Sequence, residues 1–559
     1  MWTLLERATE MPVSCLWFSQ TMRKLFAALL MLAVPLSANE QSVRSLQSGS
    51  PIGGTPLYDR GLHGENQIVA VLDTGLDWTS CYFAEPDATP PPFNTGSPDG
   101  GFAWQNVDLS RRKVVAYNFL YSCDQFPGAR GCDDPAFPGA FDNQGHGTHA
   151  AGAIAGDKGA PGVHDYADAI APMAKLVIQD AGFIGGDNCS QRPGIGCPVR
   201  MTPILEQAWR QGARIHSNSW GDRQGVSPFS APPTANYSIS ARDVDAFVYT
   251  HPDMLVVFNT GNFGSQGLPP ESSLSAPGSA KNTLQVGGTR VNSPSLGDNT
   301  MPPWTLVGPT RDGRIKPDLV GPAVVIGASP GACVVTNEAG TSWSSPTIAG
   351  AAALVRQYYT DGFYPGGAAN QANRLMPSAA LLKATLIAAA QPVPYRYNGV
   401  RRVAAAPVPS FEQGFGLPVL DEALYFAGDT AKLRVVDTPS GLAAAESASI
   451  TVNVRPGTPF KAVLVWTDPP GTPSTGSAPQ LVNDLDLRVT GNGATRFGNG
   501  AAPDRLNNVE MVNVDSPAAG QYNVTVQAHN IAQGPRQSYA LVLIGDFAAA
   551  GGRARAVGR

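Results

Sequence analysis

Short apolar runs separated by longer amphipathic stretches fill the chain from Gln67 to about Ala390. Gln67-Ile-Val-Ala-Val-Leu72, Lys175-Leu-Val-Ile178, Arg214-Ile-His216 and Met254-Leu-Val-Val-Phe258 are continuous in hydrophobicity, as expected of strands buried on both faces. Between them, Thr202 to Gly212 and Ser240 to Thr250 read as helices. The order predicts an α/β unit, a parallel sheet with helices on both faces. Phe93 to Gly139 has little periodicity and much Gly and Pro, and is expected to be a long surface insertion.

Beyond about Gly428 the period changes to two. Ser449 to Val454, Phe460 to Trp466, Leu485 to Val489, Tyr522 to Ala528 and Tyr539 to Ile544 alternate or run apolar between turn residues. This predicts a separate all-β sandwich or jelly roll over 429–547, after an α/β unit over 45–428 and before a mobile tail at 548–559. No internal repeat is visible.

Composition narrows the function classes. A formal net charge of -5 with 15% charged residues provides no basic stripe, so nucleic acid is not an expected partner. Hydrophobic residues at 43% suffice for buried cores, while 61 Gly and 49 Pro imply many turns. Met22, Arg23 and Lys24 followed by the apolar run Leu25 to Leu36 and small residues at Ser37 and Ala38 form the pattern of a signal peptide over 22–38. That run falls short of the roughly 20 residues that span a bilayer, and no later stretch is long enough, so no membrane span is expected.

Export fits the cysteines. Loss of the leader removes Cys15 from the seven and leaves six, an even number suited to an oxidising compartment, extracellular or periplasmic. Cys123 with Cys132 and Cys189 with Cys197 are near neighbours, which leaves Cys81 with Cys333 as the preferred remainder among 15 possible connectivities.

Three segments each set a reactive side chain beside glycine at a junction of strand, loop and helix. They are Val71-Leu-Asp73-Thr-Gly75, Gly145-His146-Gly-Thr-His149 and Gly340-Thr-Ser342-Trp-Ser-Ser-Pro346. Alone, each has a bland role: a strand-end Asp caps a turn, a His packs, and a Ser before a helix is an N-cap. Together they follow the order Asp, His, Ser, with the carboxylate at the carboxyl edge of a parallel sheet, where active sites of such sheets lie.

These segments resemble the three signature motifs of the subtilases, and the resemblance covers roughly residues 60 to 425. It implies that Asp73 orients the imidazole, His146 rather than His149 is the general base, and Ser342 rather than Ser344 or Ser345 is the nucleophile. Serine needs such a base, being a weak nucleophile until an imidazole takes its proton. Phe258-Asn-Thr-Gly-Asn262-Phe-Gly264 resembles the family's oxyanion segment, which makes Asn262 a donor to the tetrahedral intermediate together with the Ser342 backbone N–H. Ser217-Asn-Ser219-Trp220-Gly221 resembles the peptide-binding strand. Ser219 and Gly221 would offer backbone groups there, and Trp220 would offer an apolar face to a subsite.

The chain departs from the pattern in places. Trp343 stands where subtilases usually have Met, and Ser344 where they usually have Ala. About 35 residues separate Ala38 from Asp73, too few for the folded pro-domain common in the family. The β unit also carries a resemblance: Val463-Leu-Val-Trp466-Thr-Asp468, Asn483-Asp-Leu-Asp486-Leu and Asn507-Asn-Val-Glu510 are similar to the C-terminal β-barrel of certain bacterial subtilases. Carboxylates clustered on loops are hard oxygen ligands, so Asp484, Asp486 and Glu510 are candidates for a structural calcium ion, with turn capping as the equal alternative. No catalytic cofactor is expected.

The sequence thus predicts a secreted serine endopeptidase acting on extended or unfolded protein through an acyl-enzyme. A peptide-binding pseudoenzyme is disfavoured by the intact Asp73, His146, Ser342 and Asn262. An α/β-hydrolase is disfavoured because its triad runs Ser, Asp, His from a GxSxG elbow, which Gly-Thr-Ser342-Trp does not match. Oligomeric state is not read from the sequence.

Overall fold

A computed structural model describes residues 38–97, 101–120, 142, 145–159, 164–183, 194–195, 200–221, 235–262, 274–290, 299–397 and 402–547. The leader expected at 22–38, except for Ala38, together with the pairs Cys123/Cys132 and Cys189/Cys197 and the tail at 548–559, lies outside the described residues.

After an N-terminal helix, α1 (Ala38–Ser48), the apolar run at Gln67 becomes β1 (Ile68–Asp73), the centre of a nine-stranded sheet. Its other strands are β2 (Phe93–Ser97), β3 (Gly101–Phe102), β4 (Val114–Phe119), β5 (Lys175–Asp180), β6 (Ile215–Asn218), β7 (Leu255–Asn259), β8 (Leu284–Thr289) and β9 (Leu319–Pro322). The order is β9-β8-β7-β6-β1-β5-β4-β2-β3, and every pairing is parallel except β2 with β3.

Both faces are covered. In β1, Val69 and Val71 turn to one core with helices α2 (His146–Ala155) and α5 (Thr341–Thr360), while Ala70 and Leu72 turn to the other with α3 (Met201–Arg210) and α4 (Ile239–Thr250). Alternate side chains of a strand point to opposite faces, so a strand covered on both sides must be apolar throughout. The parallel sheet with helices on both faces is therefore the one the hydrophobic pattern predicts.

One expectation fails here. Phe93–Gly139 is not wholly a surface insertion, because β4 lies inside it with all six residues buried between β2 and β5. Its run Val-Val-Ala-Tyr-Asn-Phe is short and sits within a longer segment rich in Gly and Pro, which masks a two-sided core strand. In β4 the Tyr117 hydroxyl accepts the Leu76 N–H (3.1 Å) and donates to Asp180 (2.6 Å).

Between β9 and α5, strands β10 (Val324–Ala328) and β11 (Val335–Ala339) form a separate antiparallel hairpin. A disulfide joins Cys333 in this hairpin to Cys81, with 5.2 Å between Cα atoms. The hairpin that leads to Ser342 is thereby stapled to the loop that follows Asp73.

The C-terminal residues form two four-stranded antiparallel sheets packed as a sandwich. With β12 (Lys432–Leu442), β13 (Ser447–Val454), β14 (Phe460–Val465), β15 (Asn483–Gly491), β16 (Ala494–Phe497), β17 (Val509–Val514), β18 (Gly520–Ile531) and β19 (Gln537–Gly545), the orders are β12-β19-β14-β17 and β13-β18-β15-β16. The central strands of the first sheet, β14 and β19, are buried on both faces. Phe460, Ala462 and Leu464 of β14 enter the sandwich core, whereas Val463 and Val465 join the large core beside helix α6 (Ala379–Ala388). Among the described residues, no helix is long and apolar enough to cross a membrane.

Candidate active site

The carboxyl ends of the parallel strands and the starts of two helices carry residues of all five sequence-selected segments. Asp73 ends β1, Ser219 to Gly221 follow β6 beyond its last paired residue Asn218, and Asn262 lies three residues after β7. His146 opens α2, and Ser342 is second in α5.

Asp73 is 2% exposed, and its Oδ1 lies 2.7 Å from Nδ1 of the half-buried His146 while accepting the Thr74 N–H at 2.8 Å. A carboxylate accepts only, so Nδ1 carries the proton and Nε2 is left as the basic nitrogen. Burial of the ring disfavours imidazolium, but the Asp73 carboxylate outweighs it and raises the His146 pKa, with smaller contributions from Asp142 and Glu338. The close approach of α2 to β1 needs glycine at 147, since a β-carbon there would lie 2.1 Å from the Gly75 carbonyl oxygen.

Trp343 is the aromatic wall behind this pair. Its ring centroid is 4.7 Å from that of His146 and 4.3 Å from that of His149. His149 is 1% exposed, with Nδ1 3.2 Å from the Thr336 hydroxyl, and burial together with the charge of His146 pushes its pKa down to about 3. It is a packed neutral imidazole.

The other two serines of the segment are occupied elsewhere. Ser344 donates to the Thr341 carbonyl at 2.9 Å, and the Ser345 hydroxyl sits 3.1 Å from that of Ser219 and donates to the Asn218 carbonyl at 3.4 Å. Ser342, by contrast, is partly exposed at the helix start.

Asn262 is oriented by its own oxygen. Oδ1 accepts the Thr341 N–H (2.9 Å) and hydroxyl (3.0 Å), which turns the Nδ2 end away from those donors. A β-carbon on Gly340 would stand 3.4 Å from Asn262 Nδ2 and 3.8 Å from the Ser342 nitrogen. Asn262 Nδ2 and the Ser342 nitrogen thus both lie close to Gly340.

Trp220 differs from expectation. It is 8% exposed and packs edge-on against Phe258, ring centroids 5.5 Å apart, within the core on the α3/α4 face. Its indole packs into the interior on that face of the sheet. Gly221 abuts Ser275, whose Oγ would lie 2.5 Å from a β-carbon at that position.

The calcium expectation is also replaced. Arg505 takes the place of a cation: its guanidinium binds both Asp484 (3.1 Å) and Asp486. Glu510 is fully buried and accepts the Leu487 N–H at 2.7 Å. Among the described residues, no group of three or more His, Cys, Asp or Glu side chains is placed to hold a metal ion. The three carboxylates do not fit calcium here, since a guanidinium already meets two of them.

Sequence reading missed Asp142, whose carboxylate ties α2 to the residue after Asp73. The available signal was an acidic residue a few positions upstream of a helix start, where the helix's positive end favours an anion.

The family model described as Subtilase family matches residues 64–416. "Serine protease/ABC transporter B family protein tagA" of Dictyostelium discoideum is 26% identical over 90% of this chain and 32% of its own length. The chain therefore spans about a third of that relative. "Subtilisin BL" of Lederbergia lenta is 30% identical over 55% of this chain and 82% of its own. A solved serine protease of Aeromonas sobria is 16% identical over 91% of this chain and 95% of its own, with a TM-score of 0.40.

Proposed function

The chain belongs to the subtilase family, and from that premise we propose that it is a secreted serine endopeptidase cutting internal bonds of extended or unfolded proteins. The observation that carries the reading is the 2.7 Å contact of Asp73 with His146 Nδ1, beside a helix start where Ser342 is the exposed serine.

In this reading His146 Nε2 takes the Ser342 proton as Oγ attacks the scissile carbonyl carbon. Asp73 holds the Nδ1 proton and stabilises the imidazolium without becoming protonated. The carbonyl oxygen, now negative, receives hydrogen bonds from Asn262 Nδ2 and the Ser342 N–H. Collapse breaks the C–N bond, and the proton on His146 passes to the leaving amine. Water, deprotonated by His146, then cleaves the ester and restores Ser342. Ser219 and Gly221 would pair with an extended substrate, since they lie past the last paired residues of β6 and β7.

Secretion is supported by the Cys81–Cys333 disulfide, a bond that persists in oxidising compartments. Recovery of the protein only from a reducing cell interior, with both thiols free, would remove that part of the reading.

The test is labelling of the full chain with a fluorophosphonate, followed by peptide mapping and casein zymography with a short ester alongside. Label on Ser342 with casein cleavage is expected. Label on Ser344 or Ser345, or none on native protein, would overturn the assignment, and ester cleavage without casein cleavage would make it an esterase.

A further inference from the structure

We propose that Asp142 is a positioning residue of the catalytic constellation, a buried carboxylate that locks the His146 helix onto the strand end bearing Asp73. The proposal rests on the peptidase reading for its kinetic readout, and on geometry for its origin.

Asp142 is 6% exposed and both of its oxygens are in use. Oδ1 accepts the Thr74 hydroxyl and the Gly145 N–H, each at 2.9 Å. Oδ2 accepts the Thr148 N–H and hydroxyl, each at 2.7 Å. Thr74 completes the clamp: its Oγ1 accepts the Gly147 N–H at 2.9 Å, while its own N–H donates to Asp73 Oδ1 at 2.8 Å. The residues on either side of His146 are therefore held, one directly and one through Thr74, to a carboxylate that also grips the residue after Asp73.

The chemistry requires a carboxylate at this point. Four donors converge on two oxygens, which an ionised Asp satisfies and an Asn cannot, having one acceptor oxygen and an NH₂ that would face donors. The first turn of a helix also presents unpaired N–H groups and positive potential, which favour the anion. Burial pushes the Asp142 pKa up, and its hydrogen bonds with Thr148 and Thr74 oppose that rise.

Asp142 acts on His146 through charge as well as position. The carboxylates that favour the imidazolium are Asp73, Asp142 and Glu338, and the neighbouring His149 is neutral. Removing the charge of Asp142 lowers the His146 pKa, and removing its hydrogen bonds frees the helix start. A displacement near 1 Å of a catalytic group costs roughly 10²-fold in rate.

The experiment compares the full chain with Asp142→Asn, Thr74→Val and Thr74→Ser on a peptide substrate across pH. For Asp142→Asn, kcat is expected to fall about 10²-fold with little change in KM, and the acid limb of kcat/KM to move to lower pH. A scaffold role alone would not move that limb. Thr74→Val should lose kcat similarly, while Thr74→Ser, which keeps the hydroxyl, should retain it. Full kcat with an unmoved acid limb in a folded Asp142→Asn overturns the proposal. Should that variant not fold, full kcat in Thr74→Val does so. A parent protein that cleaves nothing would defeat the peptidase reading instead. The proposal is then decided by the ¹³C-histidine NMR titration of His146, whose midpoint must fall in Asp142→Asn and would refute the clamp by staying fixed.

Discussion

Asp468→Ala should unfold the protein at much lower denaturant, because it strands a positive charge where the sandwich meets the α/β body. Lys281 and Asp468 are both fully buried and paired with each other. Asp468 also accepts the N–H groups of Val482 (2.9 Å) and Asn483 (2.7 Å). Removing one partner of a buried ion pair costs about 3–5 kcal/mol, since the remaining charge keeps its desolvation cost. Lys281 retains two carbonyl acceptors, Pro469 (2.6 Å) and Gln480 (2.9 Å), which offset part of that. Two backbone donors lose their acceptor at about 1–3 kcal/mol each where water cannot reach them. Taken together these terms give a loss of about 5 kcal/mol or more, read as a shift in the urea midpoint at unchanged slope. Lys281→Met combined with Asp468→Asn should recover part of it, because an uncharged pair leaves no stranded ion. A loss under about 1 kcal/mol for Asp468→Ala, or a double variant as unstable as the sum of the singles, would refute the reasoning.

Three further outcomes follow from the site and the sandwich. Asn262→Ala should lower kcat roughly 10²–10³-fold, about 3–4 kcal/mol, at nearly constant KM, and a stable variant with full rate would make Asn262 a turn residue only. Mild peroxide should leave activity largely intact, because Trp343 stands beside the nucleophile and the 65% exposed Met376 is the accessible thioether among the described residues; rapid inactivation tracking oxidation of another methionine would contradict this. Burial, and Asp486 beside it, push the Asp484 carboxyl up to about 6 despite Arg505. A carboxyl with a folded pKa above its unfolded value near 4 weakens the fold as pH rises through that interval. Asp484→Asn should therefore be relatively more stable at pH 8 than at pH 5, and the reverse order in thermal melts would show that its pairing with Arg505 dominates.

The fold was legible where burial imposes a simple period. β1, β5, β6 and β7 are covered on both faces, so their continuous apolar runs announced them. β12 escaped because its Asp-Thr-Pro-Ser-Gly segment reads as a turn, although it pairs along β19 with an irregularity between Thr438 and Leu442. The Asp73–His146 contact was legible because three glycine-flanked reactive side chains in the order Asp, His, Ser share no common structural purpose. Trp220 was misread because a large apolar side chain after a strand looks the same from sequence whether it turns to a pocket or to the core. Arg505 was invisible for a related reason: clustered carboxylates call for positive charge, and composition does not say whether an ion or a guanidinium 19 residues away supplies it.

The same residue type, buried at three places, shows how donors decide role. Asp73 meets an imidazole, Asp142 meets a helix start and two hydroxyls, and Asp468 meets an ammonium and two backbone N–H groups. The first two lie on one side of the site and fix the base. The third reaches the other side indirectly. Asn282, next to Lys281, accepts the Asp468 N–H at 2.9 Å and donates to its carbonyl at 2.9 Å. The segment running back from there reaches Ser275, whose N–H and hydroxyl both bond the Thr260 carbonyl at 3.2 Å, two residues before Asn262. Asp73 and Asp142 are thus held by a polar network internal to the α/β body, while Asp468 belongs to a separate one that spans the junction with the sandwich.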